Sequence, residues 1–211
     1  MPEVLTAEQR LGTVKTHAAR AAGTPLIDEA RISRRVRGLG RQISTVYTDI
    51  ETPLVLVVIL KGATVFAADL LRSLTVPAEL EFVRAASYGT GTSSQGHPLR
   101  LARMVDGTLI DRHVLLVEDI VDSGRTADAV IRSVRRMKPA SLRLAALLDR
   151  PARRSIDVNI DFKGFTIPDR FVIGYGLDYA ERYRNLPFIG TLAPHVYGGE
   201  PAAQPGGEHE Q

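Results

Sequence analysis

Short apolar runs separated by helix-length segments constrain the fold of this chain more than any other feature. Four runs are made mainly of apolar residues and do not alternate with polar ones: LVLVVIL (54–60), HVLLVED (113–119), LRLAALL (142–148) and RFVIGYG (170–176). Continuous apolar runs of this length predict strands that are buried on both faces, as in a parallel sheet. ELEFVRA (80–86) alternates and predicts a further strand, and LRLARM (99–104) predicts a strand that returns beside it.

Helical patterns fill the segments between these strands. Asp28 is a candidate N-cap, and apolar residues then recur at steps of four and three, which predicts a helix with one buried face. These residues are Ile32, Val36, Leu39, Ile43 and Val46. Further helices are predicted over 63–74 and 124–137, and residues 1–25 predict a short helix or an arm. Alternating strands and helices predict an α/β fold with a twisted, mostly parallel core sheet flanked by helices.

The composition is typical of a globular protein and excludes several kinds of site. Of the 211 residues, 44% are hydrophobic and 24% are charged, and the formal net charge is +3. The absence of cysteine excludes a disulfide framework, a thiolate zinc site, an iron–sulfur cluster and a cysteine nucleophile. No run approaches the roughly 18 apolar residues of a membrane span, and the N-terminus lacks the apolar core of a signal peptide. We therefore expect a cytoplasmic protein with no membrane partner.

The segment LLVEDIVDSGRT (115–126) is the strongest candidate for a functional site. A buried strand ends in two adjacent carboxylates, Glu118 and Asp119, and a predicted helix begins a few residues later. Ligands of open α/β sheets bind beyond the carboxyl ends of the strands, and a helix N-terminus offers free N–H groups to a phosphate. Carboxylates suit hydroxyl groups or Mg²⁺, which prefers oxygen ligands. The segment therefore predicts a site for a sugar phosphate.

Two other interpretations of this segment are less favoured. An ordinary strand, loop and helix with capping residues would account for SGRT alone, but not for the acidic residues that precede it. The first glycine of a GxxxxGK[ST] phosphate loop is absent, and no GxGxxG motif follows a strand. A mononucleotide or dinucleotide site of those two kinds is therefore not predicted.

LLVEDIVDSGRT resembles the ribose-phosphate-binding motif of type I phosphoribosyltransferases. Three further segments resemble the hypoxanthine-guanine phosphoribosyltransferase family within that group: VVILKGATVFAADLL (57–71), SYGTGT (87–92) and FVIGYGLDYAERYRNLP (171–187). The resemblance implies the type I phosphoribosyltransferase fold, in which a small hood subdomain lies over the core sheet. We expect a single domain over 1–197, with the hood built from N-terminal residues and about 150–170, and a disordered tail over 198–211.

The resemblance also implies a reaction and the residues that carry it. The family joins a 6-oxopurine to 5-phosphoribosyl-1-pyrophosphate, with Mg²⁺ as cofactor and an oxocarbenium-like transition state, and the expected products are IMP or GMP and pyrophosphate. Glu118 and Asp119 match the acids at the ribose hydroxyls near the metal, and Asp122 matches the base at purine N7. Four residues match the loop around the 5′-phosphate: Ser123, Gly124, Arg125 and Thr126.

Other matched positions are expected to hold the pyrophosphate. Lys61 and Gly62 match a turn that contacts pyrophosphate, and the peptide bond before this lysine is often cis in the family. Ser87 and Tyr88 match the first residues of a mobile loop that closes over the reacting centre. Arg184 matches an arginine that binds pyrophosphate.

The purine is expected to contact residues after the third and fourth buried strands. Phe171 matches the aromatic residue that stacks on the base, and Val172 matches a residue whose backbone contacts the base edge. Asp178 matches a residue of the metal and base region. Arg150 stands where the family usually has a lysine that donates to the purine 6-oxygen, so the preference among hypoxanthine, guanine and xanthine is left open.

Two alternatives to this enzyme are an RNA-binding regulator of the same fold and a catalytically silent paralogue. The basic segment 31–41 and a pI of 9.4 favour the first of these. Asp122 and the purine-type segment LDYAERYRNLP oppose it, and the matched functional positions hold competent residues, which opposes the second. We therefore expect small-molecule substrates rather than nucleic acid. A homodimer or homotetramer is expected from the family.

Overall fold

The computed structural model describes residues 25–86, 100–104 and 109–192, and it forms an α/β fold. The strands are β1 (Pro25–Ile27), β2 (Leu54–Leu60), β3 (Ala78–Ala86), β4 (Arg100–Met104), β5 (His113–Val121), β6 (Ser141–Asp149), β7 (Phe162–Thr166), β8 (Val172–Ile173) and β9 (Ile189–Thr191). The helices are α1 (Glu29–Val46), α2 (Thr64–Ser73) and α3 (Arg125–Arg135), with a 3₁₀ turn at Pro151–Arg153.

The larger sheet has six strands in the order β4-β3-β2-β5-β6-β7. Neighbouring strands from β3 to β7 run parallel, and β4 lies antiparallel at one edge. This arrangement confirms the predicted mostly parallel sheet and the returning strand at its edge. Because β2, β5 and β6 are adjacent and parallel, their carboxyl ends lie side by side at one edge of the sheet.

Both faces of the larger sheet are covered, which explains why its central strands do not alternate. Leu54, Leu56 and Val58 of β2 pack into a core that includes the buried faces of α1 and α2. Their neighbours Val55 and Val57 pack on the opposite face, in a core that includes α3. Every position of β2 is therefore apolar, as expected of a parallel strand between two helical layers.

Helix α1 begins where the sequence predicts. The carboxylate of Asp28 accepts a hydrogen bond from the backbone N–H of Arg31 at 2.7 Å, which is the expected N-cap bond. Four of the five predicted apolar positions are buried: Ile32, Val36, Leu39 and Ile43. Val46 is 43% exposed, and the buried side chain at this end of the helix is that of Tyr47. The predicted apolar face is therefore correct except at the last position.

The prediction of a fourth buried strand over 170–176 was wrong. Only Val172–Ile173 is a strand, and it belongs to a separate three-stranded sheet with the order β1-β9-β8. Gly174, Tyr175 and Gly176 have φ values of 96°, 50° and 98°, which turn the chain out of an extended path. Apolar content alone misled the prediction, because the two glycines that permit this turn lie inside the apolar run.

Phe162–Thr166 instead extends the larger sheet beside β6, although it lies within the segment 150–170 expected for the hood. Lys163 and Gly164 interrupt its apolar pattern, so the sequence does not predict this strand. Gly164 permits the close approach to β6, because a Cβ there would lie 2.2 Å from the carbonyl oxygen of Leu147. Pro25–Ile27 belongs to the smaller sheet. The domain limits at 197 and 198 stay predictions.

Several predictions concern residues outside the described part of the chain. They are all but the last residue of the short helix or arm over 1–25, the loop with Ser87 and Tyr88, and the tail over 198–211. Among the residues that the structure describes, no helix is long and apolar enough to cross a membrane.

Candidate active site

The predicted site residues converge on the carboxyl edge of the larger sheet. Val58 of β2 lies beside Val117 of β5, and Val121 of β5 lies beside Asp149 of β6. The turns that follow these three strands therefore meet at one edge. This is where ligands of open α/β sheets bind.

Glu118 and Asp119 form a buried acid pair at the end of β5. Glu118 is 7% exposed, and its Oε2 is buried with no hydrogen-bond partner among the described residues. Burial raises the pKa of Glu118 well above its usual range, and the neighbouring Asp119 carboxylate raises it further. Burial also raises the pKa of Asp119, although hydrogen bonds from Glu118 and the N–H of Ile120 act in the opposite direction. The charge of Arg184 also lowers the pKa of Asp119, but burial outweighs it.

The acid pair fits a magnesium ion that binds together with substrate. Mg²⁺ in proteins is commonly held by one or two carboxylates, with water and substrate oxygens completing the octahedron. Glu118 and Asp119 supply two carboxylates, and the unpartnered Oε2 is free to bind a cation. Groups of three or more metal-binding side chains do not occur in the described ranges. A resident metal held by protein ligands alone is therefore not what this donor set suits.

The turn after β2 lies directly against the acid pair. The peptide bond between Leu60 and Lys61 is cis, as the family resemblance implies. A Cβ built on Gly62 would lie 1.6 Å from Oδ2 of Asp119, so a side chain there would displace the carboxylate. A Cβ on Gly176 would lie 2.2 Å from the carbonyl oxygen of Gly62. These glycines allow two segments of backbone and an acid to meet at one point.

Lys61 and Arg184 lie on either side of Glu181. Lys61 Nζ is 3.1 Å from Oε1 of Glu181, and Arg184 Nη2 is 3.3 Å from Oε2. Arg184 Nη2 is also 2.8 Å from Oδ1 of Asp178, and its Nε is buried without an acceptor among the described residues. Lys61 lowers the pKa of Glu181, and Arg184 lowers it further. The structure therefore brings together two cations that the sequence predicts at the pyrophosphate.

Asp178 lies beside Arg184 and the backbone of Glu181. Its Oδ2 accepts a hydrogen bond from the backbone N–H of Glu181 at 2.9 Å, and its Oδ1 pairs with Arg184. Sequence reasoning missed Glu181. The available signal was its position in LDYAERYR, three residues from both Asp178 and Arg184.

The loop after β5 forms the N-terminus of α3. Gly124 is its N-cap with φ of 84°, and a Cβ there would lie 2.2 Å from the carbonyl oxygen of Ile156. Glycine has no side chain with which to cap the helix, and the N–H of Arg125 donates instead to Oγ of Ser123 at 3.4 Å. The exposed Arg125 and the half-buried Ser123 and Thr126 lie at this helix start. The geometry is that of a phosphate-binding loop.

Asp122 and Arg150 form a two-point ion pair. Arg150 Nε donates to Oδ1 of Asp122 at 3.0 Å, and Nη2 lies 2.5 Å from Oδ2. Arg150 is 7% exposed, and its Nη1 donates to the carbonyl oxygen of Arg170 at 2.7 Å. A lysine has a single charged nitrogen and could not contact both carboxylate oxygens in this planar geometry. The sequence places Arg150 near a purine, and the structure adds its contact with the candidate base.

Phe171 and Val172 follow the residue that Arg150 contacts. The ring of Phe171 meets the ring of Tyr179 edge to face, with centroids 5.7 Å apart. Val172 is buried and pairs with Thr191 in the smaller sheet. The candidate stacking ring thus directly follows the residue whose carbonyl oxygen Arg150 binds.

Sequence reasoning also missed Asp149 and Arg154. Arg154 donates from Nε to the carbonyl oxygen of Asp122 at 3.0 Å and pairs through Nη2 with Asp149. Both residues lie in LLDRPARR beside the predicted Arg150. A run of three arginines and one acid does not reveal which of them turn inward.

Comparisons with known proteins agree with this geometry. The family model described as "Phosphoribosyl transferase domain" matches residues 27–180. The hypoxanthine phosphoribosyltransferase of Salmonella typhimurium is 46% identical over 167 residues, which cover 79% of this chain and 93% of that protein. The solved structure of a hypoxanthine phosphoribosyltransferase from Staphylococcus aureus superposes with a TM-score of 0.79, at 37% identity, over 87% of this chain and 97% of that one.

A longer relative contains a similar region. The "Bifunctional protein TilS/HprT" of Listeria monocytogenes is 44% identical over 172 residues, which are 82% of this chain but only 26% of that protein. The chain therefore spans about a quarter of the length of that relative and nearly all of the Salmonella one. With the domain match and these identities, the chain belongs to the phosphoribosyltransferase domain family and, within it, to the hypoxanthine phosphoribosyltransferases.

Proposed function

We propose that the protein transfers the 5-phosphoribosyl group from 5-phosphoribosyl-1-pyrophosphate to hypoxanthine or guanine in purine salvage, forming IMP or GMP and pyrophosphate. The observation that carries this proposal is the Asp122–Arg150 pair, which adjoins a phosphate-binding loop and in which Arg150 also binds the residue before Phe171. A base, a cation and an aromatic surface at a phosphate site match the needs of a purine that reacts with a sugar phosphate.

Each part of the site has a role in this reaction. As the bond from the anomeric carbon to pyrophosphate breaks, the ribose gains oxocarbenium character and the leaving group gains negative charge. Lys61 and Arg184 bind that charge, and the loop of Ser123, Gly124, Arg125 and Thr126 holds the 5′-phosphate. Purine N9 bonds to the anomeric carbon, and Asp122 accepts the proton of the purine at N7. A placed base of this kind contributes about 10²–10⁴-fold in rate.

The acid pair holds the ribose and the metal. Glu118 and Asp119 accept hydrogen bonds from the two ribose hydroxyls and provide ligands for Mg²⁺, and Asp178 lies on the pyrophosphate side of the same metal region. When bound, Mg²⁺ neutralises pyrophosphate oxygens and so makes pyrophosphate a better leaving group. The buried, unpartnered oxygen of Glu118 supports this assignment.

The purine site selects bases by the group at C6. Arg150 donates to an oxygen at that position, Phe171 stacks on the ring, and the backbone at Val172 contacts the base edge. The 6-amino group of adenine is a donor and would face the guanidinium unfavourably. Ser87 and Tyr88 belong to the loop that closes over the site and keeps water from the activated ribose.

The remaining features of the proposal concern the whole protein. It acts as one domain over 1–197 with a short tail, works in the cytoplasm, and assembles as a homodimer or homotetramer. Its partners are its small-molecule substrates, and neither a membrane nor a nucleic acid is required.

A four-base assay tests this function. Wild-type protein is incubated with 5-phosphoribosyl-1-pyrophosphate, Mg²⁺ and one of hypoxanthine, guanine, xanthine or adenine, and the nucleoside monophosphate is measured. We expect turnover of hypoxanthine or guanine and none of adenine, and the ratio among the 6-oxopurines reports the effect of Arg150. Absence of turnover with all four bases would reject the proposal, and an RNA mobility shift that weakens with salt would then favour the regulator.

A further inference from the structure

The carbonyl groups of Val121, Asp122 and Ser123, which lead into the phosphate-binding loop, are held by one neighbouring segment, residues 150–156. Val121 accepts hydrogen bonds from the backbone N–H of Arg150 at 3.0 Å and from Nη2 of Arg154 at 3.3 Å. Asp122 accepts one from Nε of Arg154 at 3.0 Å. The carbonyl oxygen of Ser123 accepts the backbone N–H groups of Ser155 and Ile156 and the hydroxyl of Ser155, at 3.0, 2.9 and 3.1 Å.

This arrangement sets the direction of the loop N–H groups. In a planar trans peptide the C=O and the following N–H point to opposite sides. When the carbonyls of 121–123 are turned toward residues 150–156, the N–H groups of 122–124 are turned the other way. Two of them, the N–H groups of Ser123 and Gly124, belong to the loop that the proposed function assigns to the 5′-phosphate.

Arg154 is the only side chain of the described residues that contacts two of these carbonyls. Its own position is fixed by Asp149, a buried carboxylate with which it pairs through Nη2. Lys163 binds the second oxygen of Asp149 at 2.9 Å. The Arg154 stem also packs beside Gly124, because a Cβ there would lie 3.2 Å from its Cδ. Asp149 therefore orients the guanidinium, and the stem of the Arg154 side chain packs against the start of α3.

From these contacts we propose that Arg154, oriented by Asp149, is a positioning residue for the phosphate-binding loop and for the backbone of Asp122. It touches neither the purine nor the pyrophosphate. It acts by holding two peptide groups in the orientation that presents the loop N–H groups to the 5′-phosphate. This inference rests on the proposed function, since that function identifies the loop ligand.

The positioning role of Arg154 predicts that its loss affects one kind of ligand and not another. Pyrophosphate is assigned to Lys61 and Arg184, which lie on the turn after β2 and on the segment after β8, and neither contacts Arg154. Loss of Arg154 should therefore weaken the binding of ligands that carry a 5′-phosphate and leave the binding of pyrophosphate intact. A side chain with a merely structural role would lower stability without distinguishing between these two ligands.

The test compares Arg154→Gln with Arg153→Gln. Arg153 is the adjacent arginine, but it is 49% exposed and pairs with Asp169 on the surface. Calorimetry measures the affinity for IMP and for pyrophosphate with Mg²⁺, and a melting curve measures stability. We expect Arg154→Gln to weaken the binding of IMP by at least about tenfold, as expected from losing hydrogen bonds of a charged group. The affinity for pyrophosphate should change by no more than about twofold. Arg153→Gln should match the wild type for both ligands.

Asp149→Asn is the second variant, and it decides the question if Arg154→Gln does not fold. It removes the charge that orients Arg154 and retains the shape of the side chain, so we expect a smaller loss with the same selectivity for IMP. Equal losses for IMP and pyrophosphate, or wild-type affinity for IMP in a folded variant, would overturn the positioning role alone. Wild-type protein that binds neither ligand would overturn the proposed function as well.

Discussion

Glu118 places a carboxyl oxygen in the interior of the protein, where no donor within the described ranges reaches it. A buried polar atom without a partner costs about 1–3 kcal/mol, and more when it is charged. Asp119 adds a second carboxylate beside it, so the pair destabilises the protein whenever both acids are ionised and no cation is bound. This cost is consistent with a site that is completed only when ligand arrives.

The raised pKa of Glu118 makes stability depend on pH. Above the usual carboxyl pKa of 4.5, the unfolded chain has lost a proton that the folded protein still holds. The folded protein therefore binds more protons in this range, and its stability falls as pH rises toward the raised pKa. We predict that Glu118→Gln removes much of this dependence. In metal-free protein at pH 8 the variant should be more stable by about 1 kcal/mol, or about 2–4 °C.

Melting curves from pH 5 to pH 8, with a chelator present, measure this effect. The two proteins should have similar melting temperatures at pH 5 and diverge as pH rises. Parallel curves for wild type and Glu118→Gln would contradict the assignment of an uncompensated buried acid. The variant should also bind 5-phosphoribosyl-1-pyrophosphate more weakly, since a neutral amide is a poorer ligand for Mg²⁺.

At the scale of elements, two glycines of α1 allow the effect of helix propensity on stability to be distinguished from the effect of packing. Gly38 and Gly40 lie two residues apart in this helix. A Cβ on Gly38 would meet nothing within 4 Å, whereas a Cβ on Gly40 would lie 2.5 Å from the carbonyl oxygen of Ser73 at the end of α2. Gly40 therefore sets how closely the two helices approach, and Gly38 does not.

Substitution by alanine should have opposite effects at these positions. Gly38→Ala should stabilise the protein by about 0.5–1 kcal/mol, because alanine loses less backbone entropy than glycine in a helix. Gly40→Ala gains the same entropic stabilisation but should destabilise the protein by about 1–3 kcal/mol, because the added methyl group is overpacked against α2. Urea unfolding curves measure both values. Equal effects of the two substitutions would show that the contact with Ser73 does not limit the approach of α1.

The elements that were predicted well are those whose burial follows a simple pattern. Helix α1 was predicted from its apolar spacing and its N-cap, and the central strands were predicted from continuous apolar runs. Strand β7 was missed because FKGFT contains a lysine that pairs with Asp149 and a glycine that allows close strand packing. Strand β8 was predicted too long because a run of apolar residues does not show where the backbone turns to positive φ.

At the scale of the molecule, the site combines segments that are far apart in the sequence. The Arg150–Asp122 contact spans 28 positions and the Lys61–Glu181 contact spans 120. Motifs within one segment, such as EDIVDSGRT, could be predicted from the chemistry of the residue types. The partner of Asp122 could not, because local pattern does not specify which arginine of a basic chain turns inward. The parallel sheet determines that contact by bringing the ends of β5 and β6 together.

The central claim is that the carboxylate held by Arg150 is the base of the transfer reaction. The most direct test is the turnover of Asp122→Asn with hypoxanthine, 5-phosphoribosyl-1-pyrophosphate and Mg²⁺, beside wild type and Asp157→Asn. Asp157 is an exposed aspartate of the neighbouring segment and serves as the matched control. We predict that Asp122→Asn lowers kcat by at least about 10²-fold, while Asp157→Asn retains wild-type kcat. Turnover by Asp122→Asn within a few fold of wild type would contradict the account.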